Sequence, residues 1–211
     1  MGVRAEGRLR KRELVLAVAR DLIHHLGYQN TAMKDIAKKA GLGMNAIYSV
    51  FQSKEQICAE LYLEAQLEFA VKFRQVLAED KPLPILHREL AELYIEFYSG
   101  HNFLYEIVWL VLDKQLDSQL DIAVISRIHQ SFLELLEGYA QVLARFQGAG
   151  LIRQDIEPRE LAAAFWSMVS GLAANYCHRT QEVTGVAHRR IREIELKMVL
   201  AYLRYQGGEE E

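Results

Sequence analysis

An all-α fold is predicted by three features of the chain. Apolar residues recur at helical spacing over nearly all 211 residues, strand-like alternation never runs beyond four or five residues, and only 3 prolines interrupt the pattern. With 51% hydrophobic and 25% charged residues the composition is that of a globular chain, long enough for one large or two small domains. Its longest apolar run, Ile107 to Leu112, is about a third of what a membrane-spanning helix needs. The basic N-terminus leads into no apolar core of a secretion signal, and Glu6 stands where a myristoylated start wants Ser or Thr. A cytoplasmic protein is therefore expected.

Taken in order, the first helix carries Leu14, Val18, Leu22 and Leu26 at i+4 intervals and ends at Gly27. The stretch RLRKR (8–12) precedes it as a basic arm that offers Arg10 and Lys11 to phosphate or minor groove, with a solvated disordered tail as the alternative. Thr31 stands as the N-cap of a short helix over AMKDIAKKA. Gly41 and Gly43 bracket a turn, a second short helix follows, and Ser53 caps a long helix over 54–79. DKPLP (80–84) is the clearest break in the chain. Past it, ILHRELAELYIEFYSG, FLYEIVWLVLDKQL and IAVISRIHQSFLELLEGYAQVLARFQ continue as helices, the third stopped by GAGL (148–151). Pro158 lies close to the start of the next helix (159–179), with Asp155 or Glu157 available to its N-terminus. That helix is apolar on nearly every side, so it is buried on more than one face. A last helix spans 188–206, ahead of a disordered acidic tail at 207–211.

The two short helices around AGLGMNAIYSVF are too small to bury much on their own. Joined at a steep angle by a glycine-containing turn, they form a helix-turn-helix. Ile36 and Ala37 face inward from its first helix, Gly41 permits a positive φ, Leu42 plugs the gap, and Ile47 and Val50 face the core. That leaves Met44, Asn45, Tyr48 and Ser49 on the outward side, with Ala46 between them. A major groove about 12 Å wide admits such a helix, Asn and Ser meeting base edges while Tyr and Lys reach phosphates. Charge agrees: residues 1–55 carry a net +5 and the remainder −8, as expected of a nucleic-acid module on an acidic body.

Residues 11–58 resemble the N-terminal domain of the TetR/AcrR family of transcriptional regulators. The resemblance rests on Gly27-Tyr28, Thr31, Ile36-Ala37, Ala40-Gly41, Ile47-Tyr48, Phe51 and Ser53-Lys54-Glu55. It implies that Thr31, Tyr48 and Lys54 hold phosphates and that residues 44–49 read the major groove. The chain departs from the family at Gly43-Met44-Asn45, where Ser-x-Gly is usual, and at Val50, where His or Tyr is usual. Both departures bear on operator sequence and affinity rather than on the class. The implied architecture has about nine helices: a three-helix DNA-binding domain with its basic arm (1–55), then a helical ligand-binding and dimerisation domain (56–206).

A palindromic double-stranded operator requires a homodimer. The two C-terminal helices, which family members use for this, offer Ala164, Phe165, Met168, Gly171 and Leu172 on one and Ile191, Ile194 and Met198 on the other. The alternative for these residues is intrachain core. The body is rich in aromatics, among which Phe103, Tyr105, Trp109, Phe132, Trp166 and Tyr176 are candidates to line a ligand pocket, with plain core packing as the alternative. A small hydrophobic or aromatic effector follows from the resemblance rather than from spacing. Cys58 and Cys177 form no pair, and the 7 histidines make no HxxxH or HExxH face. No cofactor, metal, membrane partner or catalytic motif is expected, so the chain is not read as an enzyme. The function expected is a sequence-specific repressor released from its operator by a small ligand. The alternative is a DNA-binding protein on the same fold that is constitutive or controlled by a protein partner.

Overall fold

The computed structural model describes residues 3–100, 120–177 and 181–204, and among these it is helical with no strand. The helices are α1 (Val3–Leu26), α2 (Met33–Ala40), α3 (Met44–Tyr48), α4 (Lys54–Ala78), α5 (Leu83–Gly100), α6 (Ile122–Gly148), α7 (Pro158–Cys177), α8 (Gln181–Thr184) and α9 (His188–Arg204). No helix of the described residues is long and apolar enough to cross a membrane. The predicted helix over FLYEIVWLVLDKQL and the acidic tail lie outside the described residues.

The chain divides into two compact units. Of the described residues, the first holds 3–66 and 120–129, the second 67–100, 130–177 and 181–204. In the first, α1 packs on α2 and α2 on α3. Their core is Val15, Leu16, Ala19 and Ile23 of α1 with Ile36, Ala37, Ile47, Val50 and Phe51. This corrects the predicted inward row of α1. Leu14 and Leu26 are exposed and Val18 and Leu22 half-buried, because the stripe centres on 15, 16, 19 and 23, one position C-terminal to the i+4 row. The basic arm is corrected too: residues 8–12 are already helical. No proline or glycine cluster stops the helix there, and Arg10 bonds Glu6 one turn back at 2.7 Å.

Cap chemistry sets the remaining boundaries. The N-cap of α2 is Ala32, not Thr31. Asp35 accepts the Ala32 backbone N–H at 3.0 Å, while the Thr31 hydroxyl donates back to the Gly27 carbonyl at 2.9 Å. Ser53 does cap α4, its Oγ accepting from Gln56 N at 3.1 Å. Gly41, in the left-handed region at φ +65°, closes α2 and directs the chain into α3.

In the second unit, α5, α7 and α9 pack on one another. Pro158 is the first residue of α7, where its missing N–H costs nothing. Asp155 does not serve that helix terminus. Its carboxylate takes both arms of the buried Arg153 guanidinium, Nε at 2.7 Å, and this holds the Asp155 carboxyl below its usual range. Arg153 also lies 4.3 Å over the Tyr202 ring, and its backbone N–H donates to the Leu203 carbonyl at 2.8 Å, tying the 149–157 loop to the end of α9.

Candidate functional sites

The outward face of α3 is built by subtraction. Ile47 is fully buried, Val50 nearly so and Leu42 half-buried, which leaves Met44, Asn45, Tyr48 and Ser49 exposed and Ala46 half-buried. Tyr48 is 51% exposed. Gly43 caps the helix through backbone alone, with no side-chain bond, as its replacement of the family's usual serine implies. Ser49 turns its hydroxyl onto the Ala46 carbonyl at 2.7 Å.

Lys54 is fixed rather than free to swing. Its ammonium donates to the Tyr28 carbonyl at 2.8 Å and rests 3.9 Å over the Tyr28 ring, while the Tyr28 hydroxyl donates to Glu55 at 2.9 Å. Tyr28 is thus a positioning residue that the sequence named only as part of a motif. Thr31 is a second correction: at 2% exposure, with its hydroxyl already bonded, it is core rather than a phosphate contact. Arg10 is exposed and Lys11 half-buried, both on helical backbone of α1. Arg12 serves the fold, bonding Glu60 at 2.7 Å and lying 5.3 Å over Phe51. Lys34 and Lys38 stand exposed on α2. Lys39 pairs with Asp21, and that hydrogen bond holds the Asp21 carboxyl below its usual range.

In the second unit, Phe103, Tyr105 and Trp109 lie outside the described residues. Phe132 and Trp166 meet edge-on with centroids 4.7 Å apart, and Tyr176 lies against His188 at 4.3 Å, all half-buried. The polar interior lies elsewhere, on one face of α5 at 87, 91, 94 and 98. His87 bonds Tyr139 of α6 and stacks on Phe165 of α7 at 4.7 Å, and Tyr94 bonds Ser170 of α7 at 2.9 Å. All five of these residues are buried, and burial pushes the His87 imidazole down to about 3, so it is neutral. The i, i+4, i+7, i+11 spacing of His87, Ala91, Tyr94 and Tyr98 was the available signal for this face.

Two predicted interface residues are corrected. Phe165 packs on His87 and Tyr139, and Leu172 is 1% exposed, so both belong to the core of this unit. The exposed side of α7 instead presents Ala164 and Gly171 with half-buried Met168. On α9, Ile194, Met198, Ala201 and Tyr202 share an exposed stripe, Met198 at 65%, with Ile191 half-buried beside it. Cys58 is chemically quiet, because burial pushes its thiol up to about 12.

Comparison with known proteins agrees with this geometry. Residues 15–61 match the family model described as bacterial regulatory proteins, tetR family. The HTH-type transcriptional regulator AcrR of Shigella flexneri is 25% identical over 180 residues, covering 81% of this chain and 80% of that protein. The HTH-type transcriptional regulator YhgD of Bacillus subtilis is 28% identical over 98 residues, so the matched stretch spans about half of that relative, 51%, and 46% of this chain. Among solved structures, FadR of Bacillus subtilis in complex with stearoyl-CoA superposes with a TM-score of 0.66 over 91% of this chain and 99% of its own, at 17% identity. That likeness speaks to the fold alone. The helix-turn-helix with its exposed α3 face lies within the matched span, so residues 15–61 are a DNA-binding module of the tetR type, and along most of its length the chain is similar to a transcriptional regulator.

Proposed function

We propose that this regulator is a homodimeric repressor that inserts α3 of each protomer into successive major grooves of a palindromic operator and is released by a small apolar effector. The observation that carries the DNA half of this reading is the division of α3. Its core residues Ile47 and Val50 are buried while Met44, Asn45, Tyr48 and Ser49 are exposed, beside an ammonium held in place at Lys54. Asn45 has the donor–acceptor pair that reads adenine, and Tyr48 has a hydroxyl for phosphate. Arg10, Lys11, Lys34 and Lys38 add cations for backbone phosphates.

The dimer is supported by the exposed apolar stripe on α9 running beside the small residues of α7. Two such helix pairs from two protomers would make a four-helix interface. The effector half is supported by the buried polar atoms on the α5 face and by the fold shared with a regulator solved with stearoyl-CoA. Release follows if the effector prefers a dimer whose reading heads are misplaced for the operator, since a ligand shifts an equilibrium only by its differential affinity.

The test is binding to DNA sequences selected in vitro by the parent protein. Asn45→Ala is expected to cost ~1–3 kcal/mol and to relax specificity at one position, while Tyr48→Phe costs ~1 kcal/mol across all sequences. Both variants keep the parent's melting temperature. Parent-like affinity in both would mean that α3 is not the reading element.

A further inference from the structure

Among the described residues, two buried side-chain atoms have no hydrogen-bond partner, His87 Nδ1 and Glu195 Oε2. Glu195 as a whole residue is only half-buried. His87 is 1% exposed and sits in the interior of the second unit, so its unmet nitrogen needs a physical reason. Packing alone does not supply one. Phenylalanines at both 87 and 139 would stack on Phe165 equally well and leave no buried polar atom unpaired.

The neighbouring tyrosine decides what the nitrogen offers. Tyr139 is 2% exposed, and among the described residues its hydroxyl bonds only the Nε2 atom of His87. A buried phenol must place its proton on an acceptor, so Tyr139 donates to Nε2 and the imidazole proton stays on Nδ1. The free group is therefore an N–H donor, held in one tautomer and stacked against one ring. Its surroundings reject charge. Among the described residues none of the buried polar side chains is a carboxylate, and the one buried guanidinium, Arg153, is already paired with Asp155.

We propose that the Nδ1–H of His87 is the polar anchor of the effector site, and that the effector is an apolar molecule whose neutral acceptor oxygen, of the ester or ketone kind, completes that hydrogen bond. Tyr139 positions the imidazole by fixing its tautomer. This rests on the ligand-responsive reading above and gives it a chemical class: a neutral acceptor in an apolar body, rather than a cation.

The test uses the full chain with 15N-labelled histidine and three probes of matched chain length: methyl decanoate, undecane and decylamine. Saturation with methyl decanoate is expected to move the His87 Nδ1–H resonance downfield, and undecane to leave it in place. The ester should bind about tenfold tighter than undecane, a preference that His87→Phe abolishes and Tyr139→Phe, which retains the imidazole, only weakens. If His87→Phe does not fold, the resonance in the parent and the Tyr139→Phe variant carry the test. Ester binding with an unmoved resonance, an intact preference in His87→Phe, or tightest binding by decylamine would each overturn the assignment, the first leaving an internal water as the partner of Nδ1. If no probe binds and none releases selected operator DNA, the effector reading itself fails instead, and this inference with it.

Discussion

Gly41 sits at φ +65°, yet a Cβ added there would meet nothing within 4 Å. Replacing it with alanine therefore adds conformational strain without a clash, and Gly41→Ala is expected to lower stability by ~1–2 kcal/mol. Urea unfolding reads this directly, and a loss above about 4 kcal/mol would mean that the turn repacks. This glycine was legible in the sequence because a turn between two short helices has few chemical solutions. Thr31 was not. A Ser or Thr ahead of an apolar-periodic run is a sound cap signal, but Asp35, the third residue of α2, reaches back to the Ala32 backbone N–H and sets the helix start one residue later. Thr31 instead bonds the end of the preceding helix. His87 was similarly opaque, since a lone histidine in a sequence says nothing of the tyrosine that faces it 52 positions later.

Amphipathicity at the level of the helix explains which elements were readable. The stripe on α9 is separated from its buried residues Leu196 and Leu203, so Ile194 and Met198, read as interface candidates, lie on its exposed side. On α7, apolar side chains occur all round, and periodicity cannot say which side meets the body and which meets a partner. Phe165 and Leu172 were misplaced for that reason. Paired substitutions separate the two roles. Met198→Lys is expected to leave each protomer folded and to shift the particle from dimer to monomer in light scattering, since a charge would be buried in an apolar interface. Phe165→Ala removes a core ring and is expected to cost ~3–5 kcal/mol of stability. A dimer as tight as the parent's in Met198→Lys would move the interface off α9. The N-terminal turns of α1 carry the same lesson in reverse. A cluster of arginines reads as an arm, but helix-forming neighbours and an i+4 acid extend the helix through it.

The molecule as a whole should lose stability in mild acid. His87 titrates near 6.5 when unfolded and near 3 in the fold, held down by burial. Between those values the unfolded chain binds one more proton, so this contribution is complete above pH 6.5 and falls as pH drops towards 3. The slope is at most ~1.4 kcal/mol per pH unit. Asp21, Asp155 and Glu193, whose carboxyls are held low by basic partners, act in the same direction nearer pH 4. Urea unfolding between pH 7 and 5 is expected to show a slope that His87→Phe removes, and an equal slope in the variant would place the proton uptake elsewhere. This property was invisible in the net charge of −3, which takes every histidine as neutral whatever its surroundings. The charge asymmetry between the two parts of the chain, by contrast, was legible, because it needs only positions. The division of α3 has a consequence on a longer timescale. Met44, Asn45 and Tyr48 carry no packing duty, and Ser49 bonds only its own helix. Single substitutions at these positions change which bases are met while leaving the core intact, so a duplicated copy of the gene can drift to new target sites without first passing through an unstable intermediate.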